Sequence, residues 1–200
     1  AFAVGQAYPK RSLSQAVRPE MEALARETGE SVNLAVPLGR EALYLDQVEG
    51  TKLVRLFTAP GSRAPLHATG VGKVFLAYLG VPEGLSLTPY TPHTLTRLPD
   101  LLRELEAVRG RGYALDNEEK ELGVRCVAAP VFGASGGVVA ALSLSAPASR
   151  LSLEEAHRLA PHEPDIAYNL AVSLDHLGQR RPAASYYRKA LDLTSTQPAR

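Results

Sequence analysis

Hydrophobic positions near the start of the chain recur at the spacing of an amphipathic helix. Between residues 12 and 28 the apolar side chains mostly fall three or four positions apart, which places them on one helical face. Pro19 interrupts this run and predicts a kink or a division of the helix, because proline removes a backbone donor. Gly29 follows the last turn, where glycine can adopt the left-handed conformation that ends a helix.

Three runs with alternating apolar residues follow, and they predict an antiparallel meander. They cover residues 31–36, 42–48 and 53–57, and short turn-rich stretches separate them. A loop rich in glycine and proline at residues 60–65 comes next. It leads into residues 68–79, whose early glycines and later apolar residues predict a loop that feeds a helix.

The second half of the pattern adds one helix and two strands. Residues 99–109 predict a helix with four inward-facing side chains, which are Leu101, Leu102, Leu105 and Val108. Residues 124–132 and 138–145 are the strongest strand candidates, and the glycine-rich connection between them predicts that they pair as neighbours. This order of elements indicates an α+β domain with helices packed on an antiparallel sheet.

The pattern changes after Pro161, which divides the chain into two predicted units. Residues 1–160 form the α+β domain, and residues 161–200 form a C-terminal α-hairpin. Two segments rich in alanine and leucine, at 165–177 and 182–193, supply the helices of the hairpin, and a short polar connection joins them.

Composition and charge exclude several classes of protein. The 22 Lys and Arg residues against 21 Asp and Glu give a net charge of +1, which supplies no field that would draw the chain to nucleic acid. No apolar stretch approaches the length of about 20 residues that a membrane-spanning helix requires, and no secretory signal is expected. The single cysteine cannot form an intramolecular disulfide, so a cytoplasmic location is expected. The five histidines are dispersed, and neither a metal site nor a cofactor is expected.

Three segments in a fixed order carry a family resemblance. They are GSRAPLHATGVGK at residues 61–73, RGRGYALDNEE at 109–119 continuing into GVRCVAAPVF at 123–132, and AALSLSAP at 140–147. Together they resemble the effector-binding domain of IclR-type transcription regulators. The resemblance implies a GAF-like domain that binds a small organic ligand, often a carboxylic acid, within a homo-oligomer, either a dimer or a tetramer. It also implies that DNA is contacted only through a winged helix-turn-helix, which has no counterpart in this chain.

Seven residues are candidates for contact with such a ligand. At the start of the predicted helix, free backbone N–H groups can hold a carboxylate with help from the helix dipole. Residues two apart on one strand share a face, so two strands can present a thiol and two hydroxyls to one wall. The candidates are Gly70, Val71, Asp116, Val124, Cys126, Ser143 and Ser145.

Other interpretations remain open at this stage. Each candidate also fits a purely structural role, and a lone cysteine in a strand is often a small buried apolar group. Cys126, His67 and Asp116 are the residue types of a nucleophile, a base and an orienting acid. An apolar strand is a poor setting for a thiolate, however, so catalysis is not expected.

The C-terminal hairpin resembles a single tetratricopeptide repeat. The resemblance rests on Asn169-Leu170-Ala171, on Gly178 after the first helix, and on four positions of the second, Ala183, Tyr187, Ala190 and Leu191. One helix pair cannot bury its whole apolar face, so it should dock on its own domain, another subunit or a foreign protein. The alternative function is therefore a protein-interaction module in which this hairpin recruits a partner.

Overall fold

The computed structural model describes residues 13–133 and 135–151 of the chain. Its elements, in chain order, are α1 Leu13–Thr28, β1 Ser31–Leu38, β2 Glu41–Val48, β3 Arg63–Pro65, α2 Gly70–Leu79, α3 Leu98–Arg111, β4 Ala114–Asn117, β5 Val124–Phe132 and β6 Val138–Pro147. The strands form one antiparallel sheet in the order β3-β2-β1-β6-β5-β4. The predicted α+β class is confirmed.

Helices cover both faces of this sheet. Helix α1 packs Val17, Met21 and Ala25 on one face, against apolar residues of β1 and of the β5–β6 hairpin. Helices α2 and α3 cover the opposite face, where Val74, Phe75 and other side chains of α2 form the main core. Each fully buried side chain of this size stabilises the fold by about 1.5–3 kcal/mol. The sheet is therefore a central layer between helices.

The first helix is not divided at Pro19, so the predicted division is wrong, while the alternative of a kink stays a prediction. Helix α1 continues from Leu13 to Thr28, and its buried side chains on either side of the proline hold both halves on the sheet. Arg18 adds a hydrogen bond of 2.8 Å from Nη1 to Asp46 Oδ1 of β2. The predicted helix end is confirmed, because Gly29 has φ +72° and donates its N–H to Ala25 O at 2.8 Å.

The third predicted strand is also wrong. Residues 53–57 form no strand, and Leu53 is 98% exposed. The third strand is instead β3, which pairs with the first half of β2, where Leu43 lies opposite Arg63. The alternation at residues 53–57 does not mark a sheet face, because this segment belongs to the loop of residues 49–62, which leaves the sheet between β2 and β3.

The remaining elements match the sequence pattern with two corrections. Three of the four predicted inward residues of α3 are buried, but Leu102 is 43% exposed because a helical step of one residue from Leu101 turns it off the buried face. Strands β5 and β6 are neighbours, as predicted. Strand β4 was not predicted, and it places Asp116 opposite Cys126 of β5.

Two predictions fall largely outside the described residues. The boundary near residue 160 and the C-terminal α-hairpin at 161–200 lie beyond residue 151, so both stay predictions. In the part of the chain that is described, no helix has the length and apolar character needed to cross a membrane.

Candidate ligand-binding cavity

A cavity of about 150 Å³ lies between the first turn of α2 and the sheet. All seven residues that the sequence singles out line it: Gly70, Val71, Asp116, Val124, Cys126, Ser143 and Ser145. The structure adds Tyr44, Thr69, Lys120, Glu121 and residues 56–58 of the loop of residues 49–62. One partly open space thus collects groups from two helical positions, four strands and two loops.

The floor of the cavity follows from strand register. Asp116 of β4 lies opposite Cys126 of β5, which lies opposite Ser145 of β6, so the three form a row across the sheet. In the next row on the same face, Ala128 lies opposite Ser143. Gly70 of α2 packs directly over Ala128, since a Cβ on this glycine would lie 3.0 Å from the Ala128 Cβ. The first turn of α2 therefore lies close to the sheet beside these polar groups.

The first turn of α2 forms the opposite wall. Thr69 is the N-cap, with extended backbone angles, and its hydroxyl accepts the N–H of Gly72 at 3.2 Å. Its carbonyl accepts the N–H of Lys73 at 2.9 Å. Within the described residues the N–H groups of Gly70 and Val71 have no hydrogen-bond partner. These two donors, at the positive end of the helix dipole, are suited to an anion.

A cluster of short polar side chains faces that wall. The Sγ of Cys126 lies 3.1 Å from Ser145 Oγ. The Nδ2 of Asn33 on β1 donates to Ser145 Oγ at 3.2 Å and to Ser143 Oγ at 3.4 Å. The sequence analysis missed Asn33, although a lone amide between Val32 and Leu34 in a buried strand was a signal.

Asp116 is the buried carboxyl group of the cavity. It is 3% exposed, and its Oδ1 accepts the N–H of Glu119 at 2.8 Å and that of Lys120 at 3.4 Å. Burial raises its pKa to about 7, while the hydrogen bond from Glu119 N–H acts in the opposite direction. The charge of Glu119 raises the pKa further, and that of Lys73 lowers it. Near neutral pH this group can therefore either accept or donate a proton.

The raised pKa of Asp116 predicts a specific pH dependence of stability. Its ordinary pKa is 3.8, so between about pH 4 and pH 7 the folded chain holds a proton that the unfolded chain has lost. The free energy of unfolding therefore falls as pH rises through this window, with a limiting slope of about 1.4 kcal/mol per pH unit. Asp116→Asn should remove this contribution. Urea unfolding of both proteins from pH 4 to pH 8 measures it, and parallel curves would contradict the assignment.

The geometry does not support the catalytic alternative. Burial, and next the charge of Asp116, raise the pKa of the Cys126 thiol above its ordinary value, which disfavours the thiolate that a nucleophile needs. His67 does not line the cavity, and its Nε2 lies 2.9 Å from the backbone oxygen of Thr88. Within residues 13–133 and 135–151, no cluster of His, Cys, Asp and Glu side chains could hold a metal ion.

Comparison with known proteins identifies the family. The family model for the bacterial transcriptional regulator IclR C-terminal region matches residues 6–171, which is most of the chain. The chain belongs to the IclR C-terminal family. The match confirms the resemblance drawn from the three segments, and it extends past the predicted boundary at residue 160 into the region of the hairpin.

The curated relatives of this IclR-family chain are named as regulators. The HTH-type transcriptional repressor AllR of Salmonella typhimurium is 42% identical over 158 residues. That alignment covers 76% of this chain and 58% of the relative. The chain thus spans little more than half the length of the curated proteins it matches.

Solved structures confirm the GAF-like fold of the family. The IclR protein of Thermotoga maritima has a TM-score of 0.69 and 30% identity, covering 89% of this chain and 70% of that one. The inducer-binding domain of PobR from Acinetobacter, solved as a double mutant with 3-hydroxybenzoic acid, has a TM-score of 0.66 and 26% identity. It covers 88% of this chain and 98% of that one.

Proposed function

We propose that this domain senses a small carboxylic acid, as the effector-binding part of an IclR-type transcription regulator. One observation carries the proposal: the unpaired N–H groups of Gly70 and Val71 and the hydroxyls of Ser143 and Ser145 line the same cavity. A carboxylate between them would receive donors from the helix on one side and from the sheet on the other. Hydrogen bonds to a charged group contribute about 1.5–3 kcal/mol each, so such a set gives useful affinity.

The other lining groups fit the remainder of such an acid. Asp116 would accept a hydrogen bond from a ligand hydroxyl, or donate one when protonated. Val124 and Cys126 would supply apolar and polarisable contact area. A volume of about 150 Å³ equals that of an engineered cavity known to hold benzene, so short aliphatic acids and single-ring aromatic acids both fit. Acids with two rings would be too large.

The family comparison supports an acid as the ligand class. PobR, which shares the fold and 26% of aligned residues, is described with 3-hydroxybenzoic acid in its inducer-binding domain. That complex concerns PobR, and the acid bound here is expected to share its carboxylate. Its remaining groups would be selected by the residues of this cavity.

In the intact cytoplasmic protein, the acid would act by favouring one arrangement of a homo-oligomer over another. A ligand shifts such an equilibrium only by its difference in affinity for the two arrangements. DNA would be contacted through a winged helix-turn-helix outside this chain, whose spacing in a dimer or tetramer the sensing domains control.

Calorimetry tests this function against a panel running from acetate and lactate to benzoate and 3-hydroxybenzoate. We expect at least one acid to bind the unaltered protein. The double variant Ser143→Ala with Ser145→Ala should bind that acid at least about 100-fold more weakly, because two donors to its carboxylate are lost.

The control variant is Ser86→Ala, which removes an exposed hydroxyl that lies 3.0 Å from Thr88 Oγ1, outside the cavity. It should leave the affinity unchanged. Failure of every acid in the panel to bind would overturn the proposed function. Equal affinity in the double variant and the unaltered protein would remove the two serines from the binding site.

A further inference from the structure

A chain of amide groups runs behind the two serines, away from the cavity. Gln47 of β2 donates from Nε2 to Asn33 Oδ1 at 2.9 Å, and Asn33 donates from Nδ2 to both serine oxygens at 3.2 and 3.4 Å. Asn33 is buried, and neither amide side chain lines the cavity. The amide groups therefore contact the serines without themselves lining the cavity.

The backbone carbonyl of Leu56 favours one direction for the hydrogen bonds that link Gln47, Asn33 and the serines. The oxygen of Leu56 can only accept hydrogen bonds, and it accepts from Ser31 Oγ at 2.6 Å and from Gln47 Nε2 at 3.4 Å. Rotating the Gln47 amide by half a turn would place its oxygen against that carbonyl oxygen. In the structure the Gln47 nitrogen faces Leu56 O and Asn33 Oδ1, while the Gln47 oxygen is buried with no hydrogen-bond partner in the described part of the chain. In this arrangement the oxygen of Asn33 faces Gln47 and its nitrogen faces the serines.

The orientation of Asn33 decides what the serines offer to the cavity. A serine hydroxyl has one proton to donate and two lone pairs to accept. When Asn33 donates to a serine oxygen, one lone pair is used on the sheet side and the proton remains for the cavity. The Cys126 thiol stays protonated because burial raises its pKa, so it too can donate to Ser145 Oγ. When the thiol donates in this way, both serines are left as donors toward the cavity.

We propose that Asn33 is a positioning residue that holds Ser143 and Ser145 as hydrogen-bond donors toward the cavity and so sets its preference for carboxylates over neutral ligands. This inference rests on the proposed function, because it concerns the selectivity of the same site. The backbone N–H groups of Gly70 and Val71 and the hydroxyls of the two serines would then all donate hydrogen bonds to the ligand. A carboxylate accepts from all four, whereas a carboxamide of the same shape brings an NH₂ group that finds no acceptor among them.

The test compares acids with their amides of equal shape: acetate with acetamide, lactate with lactamide, and benzoate with benzamide. In Asn33→Asp, the new carboxylate accepts the serine protons, and the serine lone pairs turn to the cavity. We expect acid affinity to fall at least about tenfold, which is the value of one hydrogen bond to a charged group. We expect amide affinity to rise, since the NH₂ group gains acceptors. Calorimetry on the full 200-residue chain measures both.

Two further variants separate orientation from charge and from folding. Gln47→Leu adds no charge, but it removes the group that fixes Asn33, so the ratio of acid to amide affinity should fall about threefold, roughly 0.6 kcal/mol. Asn117→Asp makes the same chemical change on β4, on the opposite face of the sheet from Asp116, beside Arg125. It should leave the ratio unchanged.

The outcomes distinguish failure of this inference from failure of the proposed function. Absence of acid binding to the unaltered protein overturns the proposed function and the inference with it. Acid binding that keeps the same ratio in Asn33→Asp and in Gln47→Leu overturns the inference alone. A fall in acid affinity without a rise in amide affinity indicates a field effect of the added charge, and it also overturns the inference. If Asn33→Asp does not fold, the ratio in Gln47→Leu decides.

Discussion

Replacing Lys73 by methionine is expected to lower the free energy of unfolding by about 3–5 kcal/mol. The Lys73 side chain is 1% exposed, and its Nζ lies 2.6 Å from Glu119 Oε1, whose side chain is 9% exposed. The second Glu119 oxygen is buried and has no hydrogen-bond partner in the described part of the chain. Removing the ammonium group therefore leaves a buried carboxylate without its counter-charge. Denaturant unfolding at constant pH measures the change.

A double variant provides the control for this pair. In Lys73→Met with Glu119→Gln the unpaired charge is gone, so at least half of the lost stability should return. Glu104 lies 3.7 Å from Lys73 Nζ but is more exposed and also pairs with Arg111, so it cannot replace Glu119. A loss below about 1 kcal/mol in the single variant, the value of an exposed pair, would contradict the burial of the ion pair.

Gly72→Ala is expected to destabilise the domain by at least about 3 kcal/mol, at the upper end of overpacking substitutions. A Cβ at this position would lie 2.3 Å from the carbonyl oxygen of Leu66 and 2.4 Å from its Cα. Those atoms are backbone, so no side-chain rotation relieves the overlap. Either the segment before the helix or the first turn of α2 has to move, and the N–H groups of Gly70 and Val71 move with it. Thermal and urea unfolding measure the loss.

The matched control is Gly110→Ala, also within a helix. A Cβ on Gly110 meets no atom within 4 Å, and its φ is not positive. This variant should gain about 0.5–1 kcal/mol, because alanine has less backbone entropy to lose than glycine. Equal effects at the two positions would show that Gly72 is not held against Leu66.

Local sequence patterns predicted those parts of the fold that depend on local periodicity. The face of α1 with Val17 and Met21, and the pairing of β5 with β6, follow from side-chain spacing and a glycine-rich connection. Residues 53–57 were mistaken for a strand because an exposed segment can alternate by chance. A segment forms a strand only when it pairs with another strand. Strand β2 pairs with Ala64 and its neighbours rather than with residues 53–57. Local periodicity does not show which of two segments will pair with a given strand.

The residues of the candidate cavity also divide into those that local sequence signals predicted and those that depend on distant contacts. Gly70 and Val71 were found because a glycine-rich segment before an apolar helix is a local signal, and the serines because they share a strand face. Tyr44 was missed, since its place in the cavity depends on β2 lying beside β1 in this sheet. Asn33 was missed for a related reason. Its importance comes from contacts with residues more than 100 positions away.

The backbone oxygen of Leu56, which accepts a hydrogen bond from Gln47, has an evolutionary consequence. The group that fixes Gln47 there is a main-chain oxygen, which every amino acid possesses. Mutations that exchange the side chain of Leu56, or of the exposed residues around it, can therefore accumulate without reversing the polarity of the serines. Under the proposed function, substitutions at the rim of the cavity would change which acid is bound without changing the preference for a carboxylate.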